Sequence, residues 1–213
     1  MPPTISGKSV LSSLQKSIEK LISEFDRIPD DRKSILKELT DFLSLKVKSD
    51  QKINLNFICT HNSRRSHIAQ LWAQAAAHYF GVGHVETFSG GTEATAFSPR
   101  AVKAMRDAGF DISIKKDGQN PIYHARYSND APPLILFSKK YDDPFNPDKD
   151  FAAIMTCSHA DENCPLVIGA AKRISLTYND PKDFDGTPQE SEKYTKRVYE
   201  IGREILYTFS KVK

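Results

Sequence analysis

The chain has 213 residues, a formal net charge of +3 and 27% charged residues. That balance is too slight to argue for binding to nucleic acid or a membrane surface, and no stretch approaches the roughly 18–20 apolar residues of a membrane span. The length suits one core domain with additions.

The N-terminus, Met1-Pro2-Pro3-Thr4-Ile5, lacks a basic region followed by an apolar core, so no signal peptide is expected and the chain is expected in the cytoplasm. Residues 8–26 place Val10, Leu11, Leu14, Ile18, Leu21, Ile22 and Phe25 at helical spacing, and residues 31–47 continue with Ile35, Leu36, Leu39, Phe42 and Leu43. Pro29-Asp30-Asp31 breaks and recaps the chain between them. The pattern predicts an α-helical hairpin, an extension over residues 1–50. Its apolar stripe is expected to pack on the main domain, 51–213, or on a second subunit of a homodimer.

From Ile53 the pattern becomes strand, turn, helix, repeated. Strands are expected at 53–58, 84–89, 151–156 and 172–177. Helices are expected at 65–80, 98–108 and 188–209, the second opened by Ser98-Pro99 with Pro in its first turn. An insert at about 118–150 contains Pro133-Leu134-Ile135-Leu136-Phe137, which can pair with 122–127 as a β-hairpin. Such alternation implies an open parallel sheet with right-handed crossovers, flanked by helices. Ligands of open sheets sit at the carboxyl ends of the strands.

Between the first strand and the first helix of this unit lies Cys59-Thr60-His61-Asn62-Ser63-Arg64-Arg65-Ser66. A loop there can point successive backbone N–H groups inward, and the following helix adds the positive end of its dipole. Such a cradle binds a tetrahedral dianion and favours thiolate at Cys59. Arg65 can grip two oxygens with its planar fork, and the Ser66 hydroxyl can hydrogen-bond the sulfur. Cys-x5-Arg also arises by chance, as a buried Cys with a surface Arg. The strand before, the helix after and the adjoining Ser favour the cradle. Asn62 suits a left-handed position in the loop.

The other two cysteines, Cys157 and Cys164, flank Ser158-His159-Ala160-Asp161-Glu162-Asn163 after the third strand. They can meet in a disulfide only if the segment remodels, because the Cα atoms must come within about 7 Å. The polar composition predicts a weakly held segment. Two unrelated core cysteines, or a zinc site with His159, are the alternatives, and the spacing departs from that of the usual close zinc-ligand pairs. Asp180, in Asn179-Asp180-Pro181, reads as a turn residue by composition. Its place after the fourth strand puts it on the same rim as Cys59 and Cys157, where a carboxyl can serve as general acid. His61, His67 and His159 read as surface or loop histidines with no catalytic step.

These segments resemble the low-molecular-weight protein tyrosine phosphatase superfamily, and within it the thioredoxin-coupled arsenate reductases. The resemblance covers roughly 52–210 and is carried by Cys59 to Ser66, by Cys157-Ser158 to Asn163-Cys164-Pro165, by Asn179-Asp180-Pro181, and more weakly by Phe88-Ser89-Gly90-Gly91-Thr92. It implies the flavodoxin-like fold of these phosphatases, with Thr60, His61, Asn62, Ser63, Arg64, Arg65 and Ser66 binding the oxyanion. It further implies Cys59, Arg65, Cys157, Cys164 and Asp180 as catalytic residues. The implied function is reduction of arsenate to arsenite by a disulfide relay, with a thioredoxin-like reductant as partner and no tightly bound cofactor or metal. Hydrolysis of phosphate monoesters through phosphocysteine is the alternative, and a non-catalytic anion or redox sensor is a third reading. Four departures stand out. His61 replaces a usual Gly, Arg64 replaces a common Cys, Gln70 stands where potassium-binding members carry Glu, and the first fifty residues and the insert have no family counterpart.

Overall fold

The structure, a computed structural model, describes residues 9–164 and 166–213. The N-terminal segment Met1–Ile5, Lys8 at the start of the first expected helix, and Pro165 lie outside the described residues.

Four strands form one parallel sheet: β1 (Ile53–Cys59), β2 (Val85–Gly91), β6 (Phe151–Met155) and β7 (Ala170–Ser175), in the order β2-β1-β6-β7. β6 reads as a continuous apolar run, FAAIM, as a strand covered on both faces does, and β1 is buried at every position but Asn54. The chain leaves β1 for β2 on one side and later returns on the other side as β6. The order therefore reverses at the carboxyl end of β1, where open α/β sheets hold their ligands. Cys59 is the last residue of that strand.

Among the described residues, six helices flank the sheet. They are α1 (Ser12–Ile22), α2 (Asp30–Lys48), α3 (Arg65–Tyr79), α4 (Pro99–Asp107), α5 (Ser158–Asn163) and α6 (Glu190–Ser210). Helix α2 starts directly after Pro29, carries Asp30 and Asp31 in its first turn and Lys46 and Lys48 in its last. Those charges match the helix dipole at both ends. The expected first helix ends four residues early, at Ile22, and a 3-10 turn over Phe25–Arg27 leads into α2.

The apolar stripes of the hairpin are covered within the chain. Leu14, Ile18 and Leu21 of α1 and Leu36, Leu39 and Leu43 of α2 are fully buried in one core with Trp72 of α3 and Ile201 and Ile205 of α6. Gly202 allows this packing. A Cβ there would stand 2.6 Å from the Trp72 ring and 2.9 Å from Leu21, so three helices meet at a position where only hydrogen fits.

The insert holds more structure than its sequence suggests. Strands β4 (Ile122–Arg126) and β5 (Leu134–Leu136) pair antiparallel, with Tyr123 opposite Leu136 and Ala125 opposite Leu134. A strand not read from the sequence, β3 (Asp111–Lys116), adds to the outer edge of β4 and makes a three-stranded sheet. Beyond β5 the chain returns to the main sheet. Gly91 donates to the Lys139 carbonyl and accepts from the Tyr141 N–H, both at 2.9 Å.

Candidate active site

The loop after β1 is built with its carbonyls turned outward. The Cys59 carbonyl accepts from the Thr92 N–H at 3.1 Å, that of Thr60 from Glu93 at 2.8 Å, and that of Ser63 from Ser98 at 2.9 Å. The His61 carbonyl accepts from the hydroxyls of Ser138 at 3.0 Å and Thr95 at 3.1 Å. A planar trans peptide sets each N–H opposite the carbonyl before it. The amides of Thr60, His61, Asn62 and Arg64 are thereby aimed at the loop's own centre, and the first turn of α3 closes the ring, an arrangement of the kind suited to an anion. Gly91 makes room for this, since a Cβ there would lie 2.6 Å from the Thr60 carbonyl oxygen and 2.7 Å from the Asn62 nitrogen.

Asn62 is the keystone of the loop. Its φ of 44° lies in the left-handed region, which Asn tolerates better than most residues. Its side-chain amide donates to Ser66 Oγ at 2.9 Å, and Ser66 Oγ lies 3.2 Å from Cys59 Sγ. The Asn62 carbonyl oxygen Oδ1 accepts in turn from the Lys139 N–H at 2.9 Å. A chain of hydrogen bonds thus runs from the insert to the sulfur. Ser138, Lys139 and Thr95 were not legible as site residues, because nothing in their local sequence announces a contact with a loop some 30 to 80 residues away.

Arg65, the first residue of α3, donates from Nη1 to the Tyr178 carbonyl at 2.9 Å and from Nη2 to Asp180 at 2.5 Å. Its Nε is buried without a hydrogen-bond partner among the described residues. Asp180 caps the 3-10 turn Pro181–Phe184, accepting from the Lys182 N–H at 3.1 Å. Arg64 turns away from the loop centre: its Nε donates to the Tyr194 hydroxyl at 2.9 Å, and it lies 3.6 Å from Asp185. His61 contributes its backbone, while its ring faces Glu93 at 3.7 Å.

Cys157 is buried and caps α5, with Sγ accepting from the Ala160 N–H at 3.4 Å and lying 3.4 Å from Thr60 Oγ1. His159 Nδ1 approaches the same hydroxyl at 3.3 Å. Cys59, Cys157, Met155, Ala160 and Val167 share one apolar cluster, with Cys164 packed at its edge. Burial pushes the Cys164 thiol up, Arg173 pulls it back, and Cys157 adds a further upward push.

As its polar composition implies, the 158–163 helix buries only Ala160, and polar contacts add to what holds it. Arg173 of β7 donates to the Asp161 carbonyl at 2.5 Å and to the Cys164 carbonyl at 3.1 Å, and its guanidinium pairs with the Asp161 carboxylate at 2.6 Å. Ser175 donates to the same carboxylate at 2.6 Å. These contacts form a polar latch between α5 and the neighbouring strand, which composition cannot reveal. Among the described residues, no group of three or more His, Cys, Asp or Glu side chains is placed to hold a metal ion, and no helix is long and apolar enough to cross a membrane.

His67, expected at the surface or in a loop, is a correction. It is fully buried in α3, stacked on Phe97 at 4.2 Å, with Nδ1 3.1 Å from Ser89 Oγ. Burial holds its imidazole well below 6.5, Lys139 reinforces this, and a backbone hydrogen bond at Asn62 opposes it. Gln70, also buried, donates to the Thr87 carbonyl at 2.9 Å.

Lys139 is 2% exposed. Its ammonium donates to the Phe137 carbonyl at 3.3 Å and lies over the rings of Phe137 and Phe145. Burial pushes it down from 10.5 to about 8, against the pull of Asp143. A lysine lowered on folding binds its proton more weakly in the folded chain. It therefore costs stability below about pH 8, by about 3 kcal/mol, and the cost fades as pH rises towards the unfolded value. Lys139→Met is expected to raise unfolding free energy at pH 7, with the gain shrinking between about pH 8 and 10.5. Urea denaturation at pH 7 and pH 9.5 checks this, and a gain independent of pH would contradict it.

Sheet order, loop and capping cysteine define an α/β fold with a buried cysteine, Cys59, at the sheet's switch point. Residues 54–124 match the family model described as low molecular weight phosphotyrosine protein phosphatase. The arsenate reductase of Bacillus licheniformis is 34% identical over 155 residues, 72% of this chain and 93% of that protein. That of Shouchella clausii is 33% identical over 150 residues, 70% and 89% of the two chains. A low molecular weight phosphotyrosine phosphatase from Vibrio cholerae O395 superposes with a TM-score of 0.49 at 14% identity, covering 74% of this chain and 94% of that one. The chain belongs to the arsenate reductase branch of the low-molecular-weight protein tyrosine phosphatase superfamily.

Proposed function

We propose that this protein reduces arsenate to arsenite with Cys59 as nucleophile and Cys157 and Cys164 as a disulfide relay. The observation that carries the reading is the gathering of all three thiols in one cluster beneath an anion-binding loop. The Cys59 thiolate attacks arsenate held by the loop amides and Arg65, and an oxygen leaves as water with a proton from Asp180. Cys157 then attacks the Cys59 sulfur. A disulfide forms, the sulfur–arsenic electron pair stays on arsenic, and arsenite departs. Cys164 attacks Cys157, which returns the Cys59 thiolate and moves the disulfide to Cys157–Cys164. An external dithiol of the thioredoxin type, in a reducing compartment such as the cytoplasm, then reduces that pair.

Burial of Cys164 and the Arg173 latch both oppose early attack by the last thiol. The relay therefore needs α5 to open after the first disulfide forms, and its single buried side chain, Ala160, leaves the latch as the main restraint. The same cradle and acid serve a phosphate monoester up to the phosphocysteine stage. Phosphatase turnover is accordingly expected beside reduction.

Cys164→Ser is expected to abolish multiple-turnover arsenate reduction, followed as arsenate-dependent NADPH oxidation with thioredoxin and thioredoxin reductase. It should leave hydrolysis of p-nitrophenyl phosphate largely intact. Full arsenate turnover in that variant would rule out the relay as drawn.

A further inference from the structure

The N-terminal extension reaches the anion site through one side chain. Arg32, in the first turn of α2, is 17% exposed, and its Nε donates to Glu204 of α6 at 2.9 Å. Its Nη2 donates to the Thr177 carbonyl at 3.1 Å, and its guanidinium carbon lies 4.6 Å from the centre of the Tyr178 ring. The Tyr178 hydroxyl donates to the same Glu204 oxygen at 2.8 Å. Tyr178 is thus held by its ring, its hydroxyl and the peptide before it. Its own carbonyl accepts from Arg65 Nη1, and Asp180 lies two residues further on.

We infer that Arg32 is a positioning residue for the anion site: by clamping Thr177, Tyr178 and Glu204 it sets the carbonyl that orients Arg65 and the segment that carries Asp180. This rests on the reading of Arg65 as the oxyanion-gripping arginine. The physical case is one of geometry. A planar guanidinium binds a dianion in two-pronged fashion only within a narrow range of orientations. Arg65 sits on α3, and the partner that orients it sits on the strand-to-turn segment after β7. Beyond Ser175 the sheet still holds the N–H side of this segment, Leu176 donating to the Met155 carbonyl at 2.9 Å and Tyr178 to the Thr156 carbonyl at 3.1 Å. Arg32 holds the opposite side, through the Thr177 carbonyl and the Tyr178 ring, so sheet and clamp together fix where the Tyr178 carbonyl points. Burial pushes the Glu204 carboxyl up while Arg32 pulls it back down, which makes the pair costly to break from one side only. The extension therefore does more than cover the core. It supplies one of the supports on which the anion-binding fork rests.

Phosphate binding to the full chain tests this, with inorganic phosphate titrated calorimetrically. Arg32→Met alone leaves Glu204 buried and unpaired and can simply unfold the chain. Arg32→Met with Glu204→Gln removes both charges and keeps an acceptor for the Tyr178 hydroxyl, so it isolates the clamp on Thr177. The double variant is expected to keep its melting cooperativity yet bind phosphate about 10- to 100-fold more weakly, the loss typical of a misplaced binding group. In p-nitrophenyl phosphate hydrolysis its KM should rise more than its kcat falls. Arg32→Lys, which retains the charge on a single donor nitrogen, should recover part of the loss. Arg65→Lys runs beside them. If Arg65→Lys weakens phosphate binding and the folded double variant does not, the inference about Arg32 is overturned. If Arg65→Lys itself binds phosphate like the wild type, the reading of the anion site falls, and the inference with it.

Discussion

Cys59→Ser is expected to abolish both arsenate reduction and phosphate-monoester hydrolysis while leaving the anion cradle able to bind phosphate. Oxygen replaces sulfur at a position held by the end of β1, 3.2 Å from Ser66 Oγ. The carbonyls of Cys59, Thr60, His61 and Ser63 keep their outward partners in Thr92, Glu93, Ser138 and Ser98, so the loop amides stay aimed inward. What is lost is the more nucleophilic and better leaving atom; an unactivated alcohol is a weak nucleophile and a poor leaving group. Removing the nucleophile from a cooperating catalytic set has cost about 10⁶ in kcat, and a loss on that order is expected here. The check has two parts: turnover with each substrate, and phosphate affinity of the variant. Retained turnover with either substrate would move the chemistry away from Cys59. Lost phosphate affinity would mean that the sulfur, and not the amides, organises the loop.

Which parts of this arrangement could be read from the chain follows from how far each interaction reaches. The four parallel strands, α3 and α6 are periodic over many residues, and the pattern of apolar side chains carries that information locally. So does the Cys59–Ser66 loop, whose residues act on one another within one turn of chain. Strand β3 is not legible because Asp111–Lys116 buries only Ile112, and two terminal lysines make it read as a polar tail. The burial of His67 is not legible because α3 is buried on nearly every face, so no polar stripe marks which positions meet solvent. The supports of the site are the least legible. Ser138 and Lys139 hold the loop from the insert, Arg173 holds α5 from the adjacent strand, and Arg32 holds Tyr178 from 145 or more residues away. Each is an ordinary polar residue in its own segment. Only the fold brings it to a partner, and a single sequence carries no trace of that pairing.

The same distinction governs what Asp180→Asn should do. Asn retains the turn, because its side-chain oxygen can still accept from the Lys182 N–H as Asp180 does at 3.1 Å. It cannot deliver a proton. General-acid steps typically contribute about 10²–10⁴-fold, so kcat for an aryl phosphate is expected to fall within that range. The structure adds a second expectation. Asp180 now takes one arm of the Arg65 fork at 2.5 Å, and a bound dianion must compete for that arm. With Asn in place the competition weakens, because the neutral amide oxygen holds a guanidinium less strongly than a carboxylate. Phosphate affinity should therefore hold steady or rise while kcat drops. Arg64 does not replace the missing proton donor, being engaged with Tyr194 and Asp185. Asp185 itself accepts from Tyr194 at 2.7 Å and lies 3.7 Å from Arg100, which leaves Asp183 as the remaining carboxyl of that turn. A near wild-type rate in Asp180→Asn would return Asp180 to a turn-forming role and shift the search to Asp183. A fall in kcat with weaker phosphate binding would instead show that the carboxylate, through Arg65, builds the cradle before it serves as acid.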